Sequence, residues 1–152
     1  MTGKEGHKAT YNSMIALCAR ILVIGFLVNL VWENAQGFLY VGYGGFWEHF
    51  WVCFVASVID ALVILLVYLA LALIYHDLYW PKHSTSVRYA VVALVGGALA
   101  VGFELWALAT GEWSYTALMP LIPVLEVGLS PLAQLMVLPV LTYYISMRKT
   151  SM

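Results

Sequence analysis

WEHFWVCFVASVIDALVILLVYLALALIYH, residues 47–76, is 30 residues long, and only Glu48, His49, Asp60 and His76 in it can carry charge. A helix that crosses a bilayer needs about 20 mostly apolar residues. The run from Trp47 to His76 therefore spans with length to spare, taken up by tilt or overhang. Three further runs have the same character: Tyr11 to Gln36, Val87 to Ala109, and Glu126 to Met147, the last with a start broken near Pro120 or Pro131. Composition agrees, with 63% of the 152 residues hydrophobic and 10% charged. Soluble domains run near 45–50% apolar and about 25% charged. The expected fold is all-α, an integral membrane four-helix transmembrane bundle over residues 11–147. A polar tail, 1–10, precedes it and a short tail, 148–152, follows.

Lys and Arg set the expected orientation. Lys4 and Lys8 precede the first run, Lys82 and Arg88 surround the second connection, and Arg148 and Lys149 follow the fourth run. The first connection (37–46) and the third (110–124) contain neither Lys nor Arg. The positive-inside rule then predicts a prokaryotic plasma-membrane protein with both termini cytoplasmic. The first run exceeds the length of a signal-peptide core and ends in Glu33-Asn34-Ala35-Gln36, not a small-residue cleavage site, so it reads as a retained helix. Cys18 and Cys53 both fall in apolar runs, without metal-site spacing. A net charge of −1 with scattered basic residues gives no footprint for nucleic acid. No catalytic, dinucleotide or zinc motif is present, so neither cofactor nor metal is expected.

The polar residues inside the runs carry the chemistry. An ionisable group at membrane depth costs roughly 2.5–3.5 kcal/mol on insertion scales, and so marks a site or a helix–helix bond. Gly25, Asn29, Glu33 and Gln36 form one stripe of the first helix, and His49, Cys53, Ala56 and Asp60 one stripe of the second. Asp60 lies about 16 Å deeper than His49 at the helical rise. Glu104 shares a face with Gly97 and Ala100, amid small-residue pairs that admit a close neighbour helix. Ser130 and Gln134 share a face of the fourth helix. Trp32-Glu33 and Phe103-Glu104 each precede a Gly/aromatic connection, a weak repeat consistent with two parallel-oriented helical hairpins.

With these stripes turned inward, a polar cavity opens to the outer side. Glu33, Glu104 and His49 line its mouth, with Asn29, Gln134 and Asp60 deeper. The aromatic residues of the outer connections roof it; singly, each of those also fits an interfacial belt. Glu33, Asp60 and Glu104 are the candidate acid/base groups. Asn29, Gln36, Tyr40, His49, Trp113, Tyr115 and Gln134 are the candidate substrate-binding groups.

Gly111-Glu112-Trp113-Ser114-Tyr115, after Glu104 and before Gly128-Leu129-Ser130-Pro131-Leu132, resembles the membrane lycopene cyclase domain family. That resemblance covers about a third of the chain. It implies helical hairpins acting on isoprenoid chains by protonating a double bond, without net redox change. Trp113-Ser114-Tyr115 and Pro131-Leu132 match, whereas Ala133-Gln134 stand where that family has paired acids. The chain also resembles a group of small four-helix prokaryotic membrane proteins, at Trp32 to Tyr40, His49 to Asp60 and Trp113 to Gln134; that likeness implies a fold and no activity. Three functions are expected candidates: an enzyme acting on a lipid or isoprenoid, a small transporter or channel subunit for protons, ions or small molecules, and a structural membrane protein. Membrane lipid is the expected partner, and homo-oligomerisation stays open.

Overall fold

The computed structural model describes residues 2–83 and 85–148. It is all-helical: α1 (Thr2–Gln36), α2 (Phe46–Tyr75), α3 (Ser86–Thr110) and α4 (Leu129–Arg148), with a 3-10 turn at Gly37–Leu39. Four helical segments are long and apolar enough to cross a membrane, Tyr11–Leu39, Phe46–Tyr75, Ser86–Thr110 and Leu129–Arg148. The backbone of α1 continues through the polar segment expected as a tail, starting at Thr2. Of the expected C-terminal tail, residues 149–152 lie outside the described residues.

Local chemistry sets the helix ends. His76 closes α2 in the left-handed region (φ 51°), and its N–H and that of Asp77 both return to the Ala72 carbonyl. Gly111 closes α3 the same way (φ 75°), with its N–H and that of Glu112 on the Ala107 carbonyl. Such closures satisfy carbonyls that the last helical turn would leave without partners. Pro131 sits in the first turn of α4, where its missing N–H costs nothing.

Pro139, by contrast, lies inside α4. Without an N–H it cannot bond the Leu135 carbonyl four residues earlier. That carbonyl meets Gly96 of α3 so closely that a Cβ there would overlap it. Glycine thus lets α3 cover an oxygen that the proline leaves exposed, with Gly97 packing on Met136 beside it. Small residues at such a crossing allow the backbones to approach, which is how apolar helices associate in lipid.

α1 packs chiefly on α2, α3 on α4, and α1 joins the two hairpins by packing on α4. The pairing of Gln36 with Ser130 and of Asn29 with Gln134 makes α1 and α4 antiparallel. The first and third connections consequently meet at one end, where Tyr40 and Tyr115 form an antiparallel bridge. At the other end lies the second connection. There Trp80, fully buried, stacks on Tyr68 (ring centroids 6.2 Å apart) and meets Tyr143 edge-on (5.6 Å). Leu17, Ile21, Ile64, Val92, Leu138 and Met147 complete this core. The Tyr143 hydroxyl donates to the Ile64 carbonyl (2.6 Å), and that of Tyr68 donates to the Leu78 carbonyl, so neither phenol is buried without a partner.

Candidate functional site

The polar groups collect in the half of the molecule nearer the first and third connections. Gln134, 2% exposed, is their hub. Its amide nitrogen donates to Asn29 Oδ1 (2.9 Å), Glu33 Oε1 (2.7 Å) and Asp60 Oδ2 (2.8 Å), and its oxygen accepts from Gln36 Nε2 (2.8 Å). Gln36 Nε2 also donates to Glu33 Oε1 (3.0 Å). The Gln36 oxygen accepts from Ser130 Oγ (2.7 Å) and Trp32 Nε1 (3.2 Å). Asn29 Nδ2 donates to the Gly25 carbonyl one turn earlier (2.7 Å). Helical spacing builds this from three strands of the argument above: the α1 stripe, the deep α2 acid, and the α4 pair Ser130 and Gln134.

Hydrogen-bond accounting makes the cluster chemically specific. A carboxamide nitrogen has two protons to give. Gln36 uses both, and both acceptor positions of its oxygen are filled. Gln134 faces three acceptors with the same two protons. Glu33 and Asp60 accept from the same Gln134 nitrogen, which brings their carboxyls together. Two carboxyls so placed are the arrangement in which paired-carboxyl active sites keep one proton. That proton also relieves the shortage at Gln134. Among the described residues no ion pair is made by Glu33 or Asp60, so the cluster is held by side-chain amides.

Glu104 forms a second centre. It is 4% exposed and accepts from Trp113 Nε1 (3.2 Å) and from the Tyr115 hydroxyl. The Tyr115 oxygen in turn accepts from the Gly128 N–H (2.9 Å), just before α4 begins. Glu104 therefore ties the third connection to the end of α3 and the start of α4. Burial and the bond to Glu104 push the Tyr115 hydroxyl above its ordinary value, so it remains a proton-bearing donor. Tyr40 packs on the second centre. Its ring lies 5.8 Å from that of Tyr115 and 6.3 Å from that of Trp113, centroid to centroid. Burial, then the charges of Glu104 and Glu33, push its hydroxyl up as well. Glu104 makes no hydrogen bond to Glu33 or Asp60 among the described residues.

Nine of the ten candidate residues thus fall into two adjoining groups, Asn29, Glu33, Gln36, Asp60 and Gln134, and Tyr40, Glu104, Trp113 and Tyr115. His49 stands apart, its ring edge-on to Tyr43 (5.3 Å), facing Gly37. Where an open polar cavity is expected from the sequence, the side chains bond one another. A shallow, open and almost wholly apolar depression of about 210 Å³ lies beside them, lined by Trp32, Ala35, Gln36, Leu39 and Ser130. Ser130 and Trp32 are the participants not among the ten. Both sit one helical turn from a residue that is, Gln134 and Gln36, and that spacing is the signal that could have found them. Among the described residues no three His, Cys, Asp or Glu side chains converge as a metal site.

Comparison with protein-family models, with curated proteins and with solved structures finds no match.

Proposed function

We propose that this is an integral membrane protein, with both termini and the second connection on the cytoplasmic side, that performs acid/base chemistry on a lipid or isoprenoid at an intramembrane carboxyl site. The Glu33–Asp60 pair is its proton-exchanging group, and Glu104 anchors the aromatic cover. The observation that carries this reading is the count at Gln134, whose two amide protons face three acceptors, two of them the carboxyls of Glu33 and Asp60. A carboxyl that keeps a proton away from water is the equipment for giving one to an apolar substrate or taking one from it. The absence of an ion pair at either carboxyl, among the described residues, leaves that proton in place.

Infrared spectroscopy of the protein in lipid tests this reading. A protonated-carboxyl band is expected, shifting in heavy water and lost in either Glu33→Gln or Asp60→Asn. If the wild-type protein has no such band, the acid/base reading falls, whatever the variants do. Native mass spectrometry from mild detergent then identifies any co-purified lipid.

A second reading has its own support. Ser130, Gln134, Thr142 and Ser146 recur on one face of α4 at multiples of four residues, and the last three are buried. Such a stripe suits a proton or cation path along the bundle. Dye-reported proton flux into proteoliposomes, abolished in Gln134→Leu, would favour transport over an enzyme.

A further inference from the structure

The third connection folds back on itself before α4 begins. A short hairpin runs from Pro120 to Leu129, closed by the bridge between Leu121 and Gly128. The Ile122 N–H donates to the Val127 carbonyl (2.9 Å) and the Leu129 N–H to the Pro120 carbonyl (2.8 Å). At the tip the Glu126 N–H returns to the Ile122 carbonyl (2.9 Å). Pro120 and Pro123 have no N–H to satisfy. Met119 and Val127 are buried, so the hairpin already has a packed side, yet Leu118, Leu121, Val124 and Leu125 are exposed. Val124, 97% exposed, holds φ at 74°, a conformation that a β-branched residue rarely adopts. In water, glycine would suit that position better. An apolar surrounding outside the chain favours valine there.

The levels of the helix ends say what that surrounding is. Gly96 of α3 meets Leu135 of α4. From this crossing α3 continues about 21 Å to Thr110, whereas α4 reaches back only about 9 Å to Leu129. α4 therefore begins about 12 Å short of the end of α3, toward the middle of the bundle. The hydrogen bonds agree, because the Gly128 N–H meets the Tyr115 hydroxyl, which donates to Glu104, about 9 Å short of Thr110. On the same scale, and with Asp60 level with Gln134, exposed Trp51 and Trp106 lie about 3–6 Å beyond the start of α4. Exposed tryptophans at one level mark the boundary between membrane and water. Pro120 is bonded to Leu129, so the base of the hairpin lies on the membrane side of that boundary. We propose that the hairpin is a lipid-binding element, with Leu118, Leu121, Val124 and Leu125 among the acyl chains of the outer leaflet and the Glu126 carboxylate at the headgroups. Backbone bonds made within the hairpin are what a segment at that depth requires. The proposal rests on the membrane placement given above, not on the acid/base step.

Nitroxide labels on single cysteines test it, in the full chain with Cys18 and Cys53 replaced by alanine and reconstituted in phosphatidylcholine vesicles. Collisions with oxygen and with a water-soluble nickel chelate read the depth of each label. Labels at Val124→Cys and Leu121→Cys are expected to favour oxygen, at a depth of about 5–10 Å into the boundary between headgroups and acyl chains. Leu66→Cys, exposed along α2, is the lipid-facing reference, and Glu112→Cys, exposed just past the end of α3, is the water-facing one. Hairpin labels that match Glu112 while Leu66 favours oxygen overturn the proposal and leave the membrane placement standing. Hairpin labels shielded from both reagents overturn it as well, since a protein partner or a second copy then covers the tip. A Leu66 label that matches Glu112 sinks the membrane placement itself.

Discussion

Replacing Gln134 with leucine shortens the side chain by one atom and deletes its amide. Its contacts to Asn29, Glu33 and Asp60, shared between two protons, and the bond from Gln36 go with it. The partners are not equally affected. Glu33 keeps the bond from Gln36, and Asp60 loses the bond from Gln134. Asn29 Oδ1 and one N–H of Gln36 are left with no other partner among the described residues. An orphaned buried polar group costs about 1–3 kcal/mol, while an interhelical bond in a membrane protein averages about 0.6 kcal/mol net. Two orphans and two weakened carboxyl contacts give an expected loss of about 2–4 kcal/mol. Equilibrium unfolding in mixed detergent micelles, followed by circular dichroism, reads this directly. Val137→Leu, an exposed position on the same helix, is the control and should change almost nothing. A loss below about 0.5 kcal/mol for Gln134→Leu would refute the hub role, since one surviving orphan alone exceeds that.

Other perturbations separate the remaining parts. Gly96→Ala puts a Cβ against the Leu135 carbonyl and should destabilise the α3–α4 pair by about 1–3 kcal/mol in the same unfolding assay; Gly102→Ala, which meets nothing within 4 Å, should be neutral or slightly stabilising. Tyr115→Phe strips Glu104 of its hydroxyl donor and the Gly128 N–H of its acceptor, so amide exchange should quicken across the third connection by about tenfold or more while the Trp80 end stays protected. The second connection should respond to acid. The Asp77 carboxyl is held below its ordinary value chiefly by its bond with His83 (2.9 Å), with the Tyr79 N–H adding to it. A depressed carboxylate stabilises the fold above its unfolded value near about pH 4, and that stabilisation is lost as pH falls further. Trp80 fluorescence should therefore change below about pH 4 in the wild type and lose that acid step in Asp77→Asn; an unaltered step in the variant would assign it to another group.

The four long apolar helices were legible because the demand that lipid makes of a spanning helix is simple, an apolar run of sufficient length, and Trp47 to His76 has the length and composition for it. The stripes were legible too: Asn29, Glu33, Gln36, Asp60 and Gln134 needed only helical periodicity to be assigned to common faces. Periodicity ranks faces within a helix, however, and says little about which helix each face meets. That is why the separation of Glu104 from the Glu33–Asp60 pair was not readable. Glu104 is claimed by Trp113 and Tyr115, residues nine and eleven positions onward in a connection whose path is fixed by Gly111 and by the Tyr40–Tyr115 bridge. His49 was misleading for a related reason. It shares a helical stripe with Asp60, but at its level the neighbour is the aromatic ring of Tyr43.

The division of the molecule into two halves has a mechanical consequence. Around Trp80 the helices are joined by buried rings and aliphatic side chains, and the two phenols there are fixed to backbone carbonyls. Around Gln134 they are joined through side-chain hydrogen bonds, and three helices depend on one amide. Packing of the first kind has no alternative partner to exchange with, whereas a bonded network rearranges when one proton moves. On the proposed acid/base reading, a proton leaving the Glu33–Asp60 pair leaves two like charges on one amide, and that repulsion acts across α1 and α2 while Gln134 of α4 holds both. The aromatic half then serves as the fixed end and the amide half as the movable one. Crosslinking cysteines across Leu17 and Met147, in the fixed half, should leave proton exchange at the cluster intact; crosslinking across Ala35 and Ser130, in the other half, should suppress it. Suppression by the first crosslink would show that the whole bundle moves as one body.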